Sequence, residues 1–270
     1  MSLVAETRFL FCSLLKHGRL LLEMARRDVS DRYAGQILGT WWAILHPVTT
    51  LAVFMFIFGV VFRIKADPGL DIPGDHTLYI ISGLVPWLVA ADVLSRSCAI
   101  VANQAPLVKQ VVFPVEILPV KMVMASVPTF LIGFAGLTLY ALAVGRTSPG
   151  LLLYPLAAVP FYLFLLGVAF LLAALGVFLR DMKDMVQIFT LIGLYVAPIF
   201  YFMDWVPERL RPFIYLNPVT AFVENFHDAA YYGGVQSGVM WFVAAVLGCV
   251  AIWFGAMVFA RLKPHFGTYL

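Results

Sequence analysis

Long apolar runs are the feature that most constrains this sequence. A membrane-spanning helix needs about 20 mostly apolar residues, and six stretches meet that requirement: residues 36–62, 77–97, 117–144, 151–179, 185–203 and 238–260. Charged residues make up only 12% of the chain, about half of their usual share in a water-soluble domain. Because so few charges cannot cover a surface that faces water, we predict an all-α integral membrane protein in which residues 36–270 form a six-helix transmembrane domain.

The distribution of basic residues predicts the orientation of these helices. An even number of spans places both termini on the same side, and most of the 18 Lys and Arg residues fall on that side. Since cytoplasmic loops carry an excess of Lys and Arg, both termini are predicted to be cytoplasmic. No basic run is interleaved with aromatic residues, so nucleic acid is not an expected partner.

Residues 1–35 are predicted to be a cytoplasmic N-terminus that contains an amphipathic helix. Leu14, Leu21 and Ala25 recur at helical spacing, with basic residues on the opposite face. Such a helix lies on the inner membrane surface, and one interpretation is an anchor for acidic lipid. The end of the helix carries both signs of charge, which favours contact with a protein, and the residues concerned are Arg26, Arg27, Asp28, Asp31 and Arg32.

Two polar interruptions separate the apolar runs in an unusual way. Three prolines divide residues 97–119, which predicts a short helix bounded by turns. Residues 204–237 are too polar to span the membrane but rich in aromatic residues, and two helical stretches are predicted there, Pro207–Tyr215 and Pro218–Tyr232. Asn217 is the expected N-cap of the second. These stretches fit re-entrant half-helices beside a polar cavity on the outer side.

The motifs of common enzymes are missing from the sequence. It contains no GxxxxGK[ST] phosphate-binding loop, no HExxH and no GxSxG, so we expect no catalytic residue, no metal site and no ATP site on this chain. Charges within the spans are scarce, and Asp92 and Arg96 are predicted to form an ion pair within one helix. His46, which precedes Pro47, is either a buried histidine at a kink or a polar group that faces a pore.

Aromatic side chains are dense on two of the predicted spans. They belong to the first and fifth spans, where lipid-facing rings are the simple interpretation. Because ring faces also stack on the apolar faces of sugars, a channel lining for a glycan is the alternative, formed by Trp41, Trp42, Phe54, Phe58, Phe200 and Tyr201.

Four segments resemble the membrane subunits of polysaccharide ABC exporters, the type 2 permeases that export O-antigen, capsule or teichoic acid. The segments are RDVSDRYAGQILGTWWAILHP, FPVEILP, FLRDMKD and APIFYFMDWVPERLRPFIYLNPVTAFVENF, and they occur in the family's order over nearly the whole chain. The resemblance implies a homodimer of this subunit in a bacterial inner membrane, joined to two separate nucleotide-binding subunits that hold ATP and Mg. The expected substrate is an undecaprenyl-linked polysaccharide, and an O-antigen is the favoured class.

The resemblance also implies roles for particular residues. The ATPase subunit would dock on Arg26, Arg27, Asp28, Asp31, Arg32 and Tyr33 and on a coupling helix with Asn103, Pro106 and Lys109. The re-entrant stretches would form an outer gate containing Asn217, Glu224 and His227. Many relatives have arginine in place of His227, so a role assigned to that arginine does not transfer directly.

Other functions are less well supported by the sequence. Alternative substrates are a capsule, a teichoic acid or a small drug, and a drug exporter would be expected to have a less aromatic channel. A membrane glycosyl or acyl transferase would need an acidic or histidine cluster with catalytic spacing, which the sequence lacks. A secondary carrier would normally have buried charges and an internal repeat.

Overall fold

The described part of the chain is all helical, as the sequence predicts. A computed structural model describes residues 17–61, 75–110, 113–179 and 181–270, and no β-strand occurs among them. In chain order the α-helices are α1 (Gly18–Asp31), α2 (Trp42–Phe56), α3 (His76–Ser97), α4 (Ala105–Gln110), α5 (Ile117–Ala125), α6 (Val127–Ala143), α7 (Leu153–Phe178), α8 (Met182–Val196), α9 (Arg211–Tyr215), α10 (Pro218–His227), α11 (Gly238–Leu262) and α12 (Phe266–Tyr269).

Five helical segments are long and apolar enough to cross a membrane. They match the first, second, third, fourth and sixth predicted spans, and their bounds are Gly39–Val61, His76–Ser97, Ile117–Ala143, Pro149–Phe178 and Gly238–Tyr269. Helix α3 is the central one, because most of its residues are buried, whereas the first segment is mostly exposed. Residues 1–16 of the predicted N-terminus and residue 62 of the first predicted span lie outside the described residues.

The predicted fifth span, residues 185–203, ends earlier than expected. Helix α8 has 15 residues, so it is about 22 Å long, whereas the hydrocarbon core is about 30 Å thick. Ala197 has extended backbone angles, with φ −67° and ψ 142°, because the ring of Pro198 disfavours helix in the residue before it. The helix therefore ends at Val196, before the predicted end of the span at residue 203, and both the extent of the fifth span and the count of six spans stay predictions.

The segment between α8 and α11 contains the two expected helices with one changed boundary. The first begins at Arg211 instead of Pro207, because a helix begun at Pro207 would place Pro212 in its interior, where proline clashes with the preceding turn. In the observed helix Pro212 lies in the first turn, where a proline is tolerated because the amide hydrogen that it lacks would have no partner within the helix. The second stretch is helical from Pro218 to Tyr232, first as α10 and then as a π-helical turn.

Close packing of α7 on α11 depends on glycines. A methyl group on Gly255 would collide with the carbonyl oxygen of Gly167, and one on Gly248 would lie 2.7 Å from the carbonyl oxygen of Pro160. Small residues allow two helix backbones to approach closely in a membrane, where packing drives association. These glycines therefore fix the distance between the fourth and last of the predicted spans.

Helix α1 packs against the start of the third span. Ala25 is buried, and Leu21 and Met24 lie against a cluster that includes Leu118 and Phe266. Of the predicted apolar face, Leu21 and Ala25 are thus covered by protein, and Leu14 lies outside the described residues. Its basic face stays exposed.

Candidate functional site

Three phenylalanine rings from distant parts of the chain stack together. The ring centroids of Phe54 and Phe58 are 6.2 Å apart, and Phe200 lies 6.0 Å from Phe54 and 5.6 Å from Phe58. Tyr195, which is 65% exposed, adds a fourth ring 5.9 Å from Phe200. We call Phe54, Phe58, Tyr195 and Phe200 the aromatic surface. It joins the first predicted span to the segment that follows α8.

The other predicted lining residues do not belong to this surface. Trp41 and Trp42 lie at the opposite end of the first span, where Trp41 is 70% exposed. The hydroxyl of Tyr201 donates a hydrogen bond to the carbonyl oxygen of Val196 at 2.6 Å and so closes the turn after α8. The aromatic set predicted from the sequence therefore divides into one continuous group of rings and separate residues.

The break after α8 is fixed by side chains from two other helices. The carbonyl oxygen of Pro198 accepts hydrogen bonds from the Tyr79 hydroxyl at 3.1 Å and from Nε2 of His227 at 3.0 Å. The Tyr79 hydroxyl also lies 3.2 Å from the carbonyl oxygen of Tyr201. Buried backbone groups that a break leaves without helical hydrogen bonds need other partners, and Tyr79 and His227 supply them here.

His227 is fully buried, and its contacts determine its tautomer. A carbonyl oxygen can only accept, so the contact with Pro198 requires a proton on Nε2. Nδ1 lies 2.7 Å from the Ser82 hydroxyl, and burial lowers the pKa of His227 to about 3. In the neutral ring that this pKa favours, Nδ1 is an acceptor, and it competes for the single proton of the Ser82 hydroxyl with the Tyr79 carbonyl oxygen, 2.6 Å from Ser82 Oγ. Gly83 makes room for it, since a methyl group there would lie 2.8 Å from Cε1 of the imidazole.

Helix α10 carries the other two predicted gate residues. The Asn217 side chain accepts a hydrogen bond from the Val219 amide at 3.1 Å, which confirms it as the N-cap. Burial, followed by the charges of Asp228 and Asp204, raises the pKa of Glu224 to about 7. Among the described residues Oε1 of Glu224 has no hydrogen-bond partner. The structure thus places a carboxyl group with a raised pKa on helix α10.

Asp228 fixes the turn that leads from α10 into the last span. Its Oδ2 accepts hydrogen bonds from the amides of Gln236 and Ser237 and from the indole nitrogen of Trp241, at 3.0, 3.4 and 3.0 Å. Burial nevertheless raises the pKa of Asp228, and the three donors counter this rise. Helix α10 is therefore anchored at both ends, by Asn217 and by Asp228.

Five charged side chains connect α1 to the second and third spans. The carboxylate of Asp28 pairs with Arg96 at 3.0 Å and with Lys121 at 3.4 Å. The carboxylate of Asp92 pairs with Arg96 at 2.8 Å, which confirms the predicted intrahelical pair, and with Arg32 at 3.4 Å. We call these residues the charge cluster. It contains three cations and two carboxylates, so one positive charge is left in excess.

The predicted partner-binding residues fall into two groups. Asp28 and Arg32 point into the charge cluster, and Tyr33 is half-buried. The others are exposed, on α1 or on the short helix α4 and the turn before it, and they are Arg26, Arg27, Asp31, Asn103, Pro106 and Lys109. The site residues predicted from the sequence did not include Lys121 or Lys263. Lys263 pairs with the buried Glu116 at 2.7 Å and ties the segment after α4 to the end of α11.

Comparisons with known proteins agree over most of the chain. A family model described as ABC-2 type transporter matches residues 19–231. An O-antigen export system permease protein RfbA of Klebsiella pneumoniae is 27% identical over 93% of this chain and 95% of its own length. The protein of the same name from Myxococcus xanthus is 22% identical over 94% and 96%. The polysialic acid transport protein KpsM of Escherichia coli is 21% identical over 86% and 89%.

Proposed function

Since the chain belongs to the ABC-2 type transporter family, we propose that it is the membrane-spanning subunit of an ATP-driven exporter of a lipid-linked polysaccharide, most closely an O-antigen. The similarity to O-antigen permeases over nearly the full length of both chains supports this substrate class. The structural observation that carries the proposal is the aromatic surface. Its stacked rings, half-buried at Phe54, Phe58 and Phe200, suit sugar faces, which slide past them while the hydroxyl groups stay hydrated.

The proposed topology has six membrane crossings, with both termini in the cytoplasm. Helix α8 is too short to cross alone, so the irregular segment after Pro198 completes the fifth crossing. Helices α9 and α10 then dip into the outer leaflet as the gate. This arrangement is supported by the buried hydrogen bonds at Pro198, which allow a broken helix to lie within the membrane.

The proposed partners are a second copy of this chain and two ATPase subunits. ATP and Mg bind to the ATPase subunits, and this chain is not the catalyst. The exposed charges Arg26, Arg27 and Asp31 and the helix α4 provide the docking surface. We define the proposed coupling helix as α4 with its preceding turn, residues 102–110. Both elements lie at the cytoplasmic side in the proposed topology.

Helix α3 is the element through which docking would reach the gate. Near its cytoplasmic end Asp92 and Arg96 bind α1 through the charge cluster. Near its outer end Tyr79 and Ser82 hold the break after α8 and the half-helix α10. A push on α1 is therefore transmitted along one helix to the residues that position the channel wall and the gate. In this proposed mechanism ATP-driven closure of the partner subunits moves α1 and the coupling helix and widens the channel.

Export by a strain that lacks its own permease tests the substrate. Cells supplied with this chain and its ATPase subunit should display the polysaccharide on the surface, and cells without the chain should retain it inside. A capsule polysaccharide is the second candidate, because a polysialic acid transport protein is among the relatives. Host strains that synthesise either an O-antigen or a capsule distinguish the two substrates. If this chain exports neither polysaccharide, the proposal is contradicted.

Charge reversal on α1 tests the docking surface. Arg26→Glu with Arg27→Glu should lower the ATPase activity of the reconstituted complex and weaken co-purification of the ATPase subunit, as should Lys109→Glu on α4. Arg19→Glu is the control, since Arg19 is exposed on the same helix but lies two turns before Arg26. Unchanged coupling in the first two variants would exclude this docking surface.

A further inference from the structure

The third predicted span is divided into two helices. Helix α5 ends at Ala125 and α6 begins at Val127, and Ser126 forms a turn between them. The amide of Ser126 donates a hydrogen bond to the carbonyl oxygen of Val123 at 3.2 Å, and the Ser126 hydroxyl donates to the same oxygen at 2.7 Å. A bond to the third residue back tightens a helix locally. The span is therefore not one uniform rod.

Pro128 accounts for the break. Proline has no amide hydrogen, so residue 128 cannot donate to the carbonyl oxygen of Met124, and the ring crowds that oxygen. A serine hydroxyl that bonds back to a helix carbonyl favours bending as well, and Ser126 lies only two residues before the proline. We call residues 126–128 the hinge.

The part of the span before the hinge is fixed to two other elements. Lys121 of α5 pairs with Asp28 of α1 at 3.4 Å, and only 7% of the Lys121 side chain is exposed. Leu118 of α5 belongs to the apolar cluster against which α1 packs. Glu116, at the start of α5, pairs with Lys263 beyond the end of α11 at 2.7 Å. Because breaking a buried ion pair is costly, a displacement of α1 should carry α5 with it.

The hinge is loosely packed on the side that faces α7. A cavity of about 380 Å³ lies there, lined by Val123, Met124 and Val127 from the third span and by residues of α7 that include Val159 and Tyr162. Val159 is 57% exposed, so the cavity opens at the surface of the helix bundle. Since protein interiors are normally close-packed, this space leaves α5 room to move.

A second cavity, of about 320 Å³, borders the third span on another side. Thr129, next to the hinge, lines it together with His46 and Thr50 of the first span. Of the two interpretations of His46, the structure excludes the buried histidine, because this side chain is exposed. The hinge therefore has open space on two sides.

We propose that α5 is a lever that turns about the hinge when α1 moves, and that it passes the motion of α1 to the third span. The inference rests on the proposed function, because that function sets α1 against the ATPase subunits. It adds a second route to the one through α3. The ion pair of Glu116 with Lys263 holds the lever in its resting position, and the two cavities take up its movement.

Pro128→Ala in the complete complex tests the lever. It restores the missing amide hydrogen and should stiffen the hinge, so the melting temperature should stay the same or rise. Surface polysaccharide should nevertheless appear roughly three- to tenfold more slowly. Pro155→Ala is the matched control, because Pro155 lines the same cavity but lies in the first turn of α7, where no amide donor is needed. It should leave both measurements unchanged.

Filling the cavity beside the hinge is an independent test. Val159→Trp places a large side chain in the space next to Met124 and should slow export as Pro128→Ala does, without lowering the melting temperature. Leu156→Trp is the control, since Leu156 is 55% exposed on the same helix and lies outside the cavity lining.

Spin labels report the movement itself. Glu23→Cys on α1 and Leu131→Cys on α6 are exposed positions on the two sides of the hinge. They are labelled in one copy per complex, in a chain whose Cys12 and exposed Cys249 are replaced by serine. Trapping the ATPase subunits with a non-hydrolysable ATP analogue should shift the distance between the labels. Most of this shift should be lost when Pro128→Ala is added.

The outcomes separate the lever from the proposed function. If wild type exports polysaccharide and Pro128→Ala exports it equally fast, or if nucleotide trapping leaves the label distance unchanged, the lever is overturned and the proposed function stands. Slower export together with a lower melting temperature would show that Pro128 only shapes the fold, which also overturns the lever. Failure of wild type to export contradicts the proposed function, and the lever with it.

Discussion

The imidazole ring of His227 stacks on the phenol ring of Tyr79, with their centroids 3.7 Å apart and their planes inclined by 12°. Both side chains also bind the Pro198 carbonyl oxygen. His227→Phe keeps a ring for stacking but loses both hydrogen bonds of the imidazole, while the Ser82 hydroxyl keeps the Tyr79 carbonyl oxygen as an acceptor. We expect the free energy of unfolding to fall by about 1–3 kcal/mol, measured as a lower melting temperature in detergent.

The control for this substitution is His265→Phe, because His265 is exposed near the C-terminus. It should leave the melting temperature unchanged. Tyr79→Phe should lower stability as well, and the double variant should lose less than the sum, because both side chains serve the same carbonyl. Equal melting temperatures for wild type and His227→Phe would contradict the assigned role.

Because the pKa of Glu224 is raised in the folded state, we expect the stability of the protein to depend on pH. Burial raises the pKa of Glu224 to about 7 from 4.5, so between these values the folded state keeps a proton that the unfolded state has released. Stability from this group is complete below about pH 4.5 and is lost as the pH rises through 7. The free energy of unfolding of Glu224→Gln should therefore equal that of wild type at pH 4.5. At pH 8 it should be higher than that of wild type, by at most about 3 kcal/mol.

Melting temperatures at pH 4.5, 6 and 8 check this prediction. Taking the difference between variant and wild type removes the contributions of groups that both share. Glu208→Gln is the control, because Glu208 is exposed just before α9, and its difference should be flat across the range. A Glu224→Gln difference that is equally flat would show that Glu224 is not the titrating group.

Loss of one carboxylate should release α1 from the spans. Asp28→Asn leaves three cations of the charge cluster with Asp92 alone. Because the cluster is only partly buried, we expect a cost of about 1–2 kcal/mol. Trypsin should then cut faster after Arg26 and Arg27. Asp31→Asn, at an exposed position of the same helix, should not change the rate, and identical rates for both variants would contradict the prediction.

The contact between α7 and α11 should not tolerate a methyl group at Gly255. Gly255→Ala forces the added carbon against the Gly167 carbonyl oxygen, and overpacking of this kind typically costs about 1–3 kcal/mol. Gly238→Ala is the matched control on the same helix, since nothing lies within 4 Å of its added carbon. The melting temperature of Gly255→Ala should be well below that of wild type, and that of Gly238→Ala should be close to it. The reverse order would show that the helices pack differently.

Rings of the aromatic surface should matter for transport more than for folding. Phe58→Ala and Phe200→Ala each remove one stacking face, and a ring contact contributes about 0.5–1.5 kcal/mol. We therefore expect surface polysaccharide to appear roughly two- to tenfold more slowly in a pulse-labelling experiment. Phe242→Ala, at a 69% exposed position of α11, is the control. Export slowed equally by all three variants would argue against a specific channel wall.

Local sequence patterns were sufficient for much of the fold. Apolar runs located the five long helices, and capping chemistry identified Asn217 before α10. The four-residue spacing of Asp92 and Arg96 predicted their ion pair. Proline rules could also have corrected the end of α8 at Ala197 and the start of α9 near Pro212, because both signals are local.

Long-range contacts were not readable from these patterns. His227 and Ser82 are 145 positions apart, and Lys263 and Glu116 are 147 apart. Helical periodicity indicates which face of a helix is apolar, but it does not indicate which other helix covers that face. The sequence analysis assigned no contact to Lys121, although a lysine within an apolar run indicates a buried partner, which the structure identifies as Asp28.

The hydrogen bonds at Pro198 have a consequence for biosynthesis. The break after α8 receives one donor from Tyr79, which the ribosome makes earlier, and one from His227, which it makes 29 residues later. Helix α8 is also too short to settle across the bilayer on its own hydrophobicity. We therefore expect this segment to leave the translocon incompletely inserted. It would reach its final depth only after His227 has emerged, so the order of synthesis differs from the order of insertion.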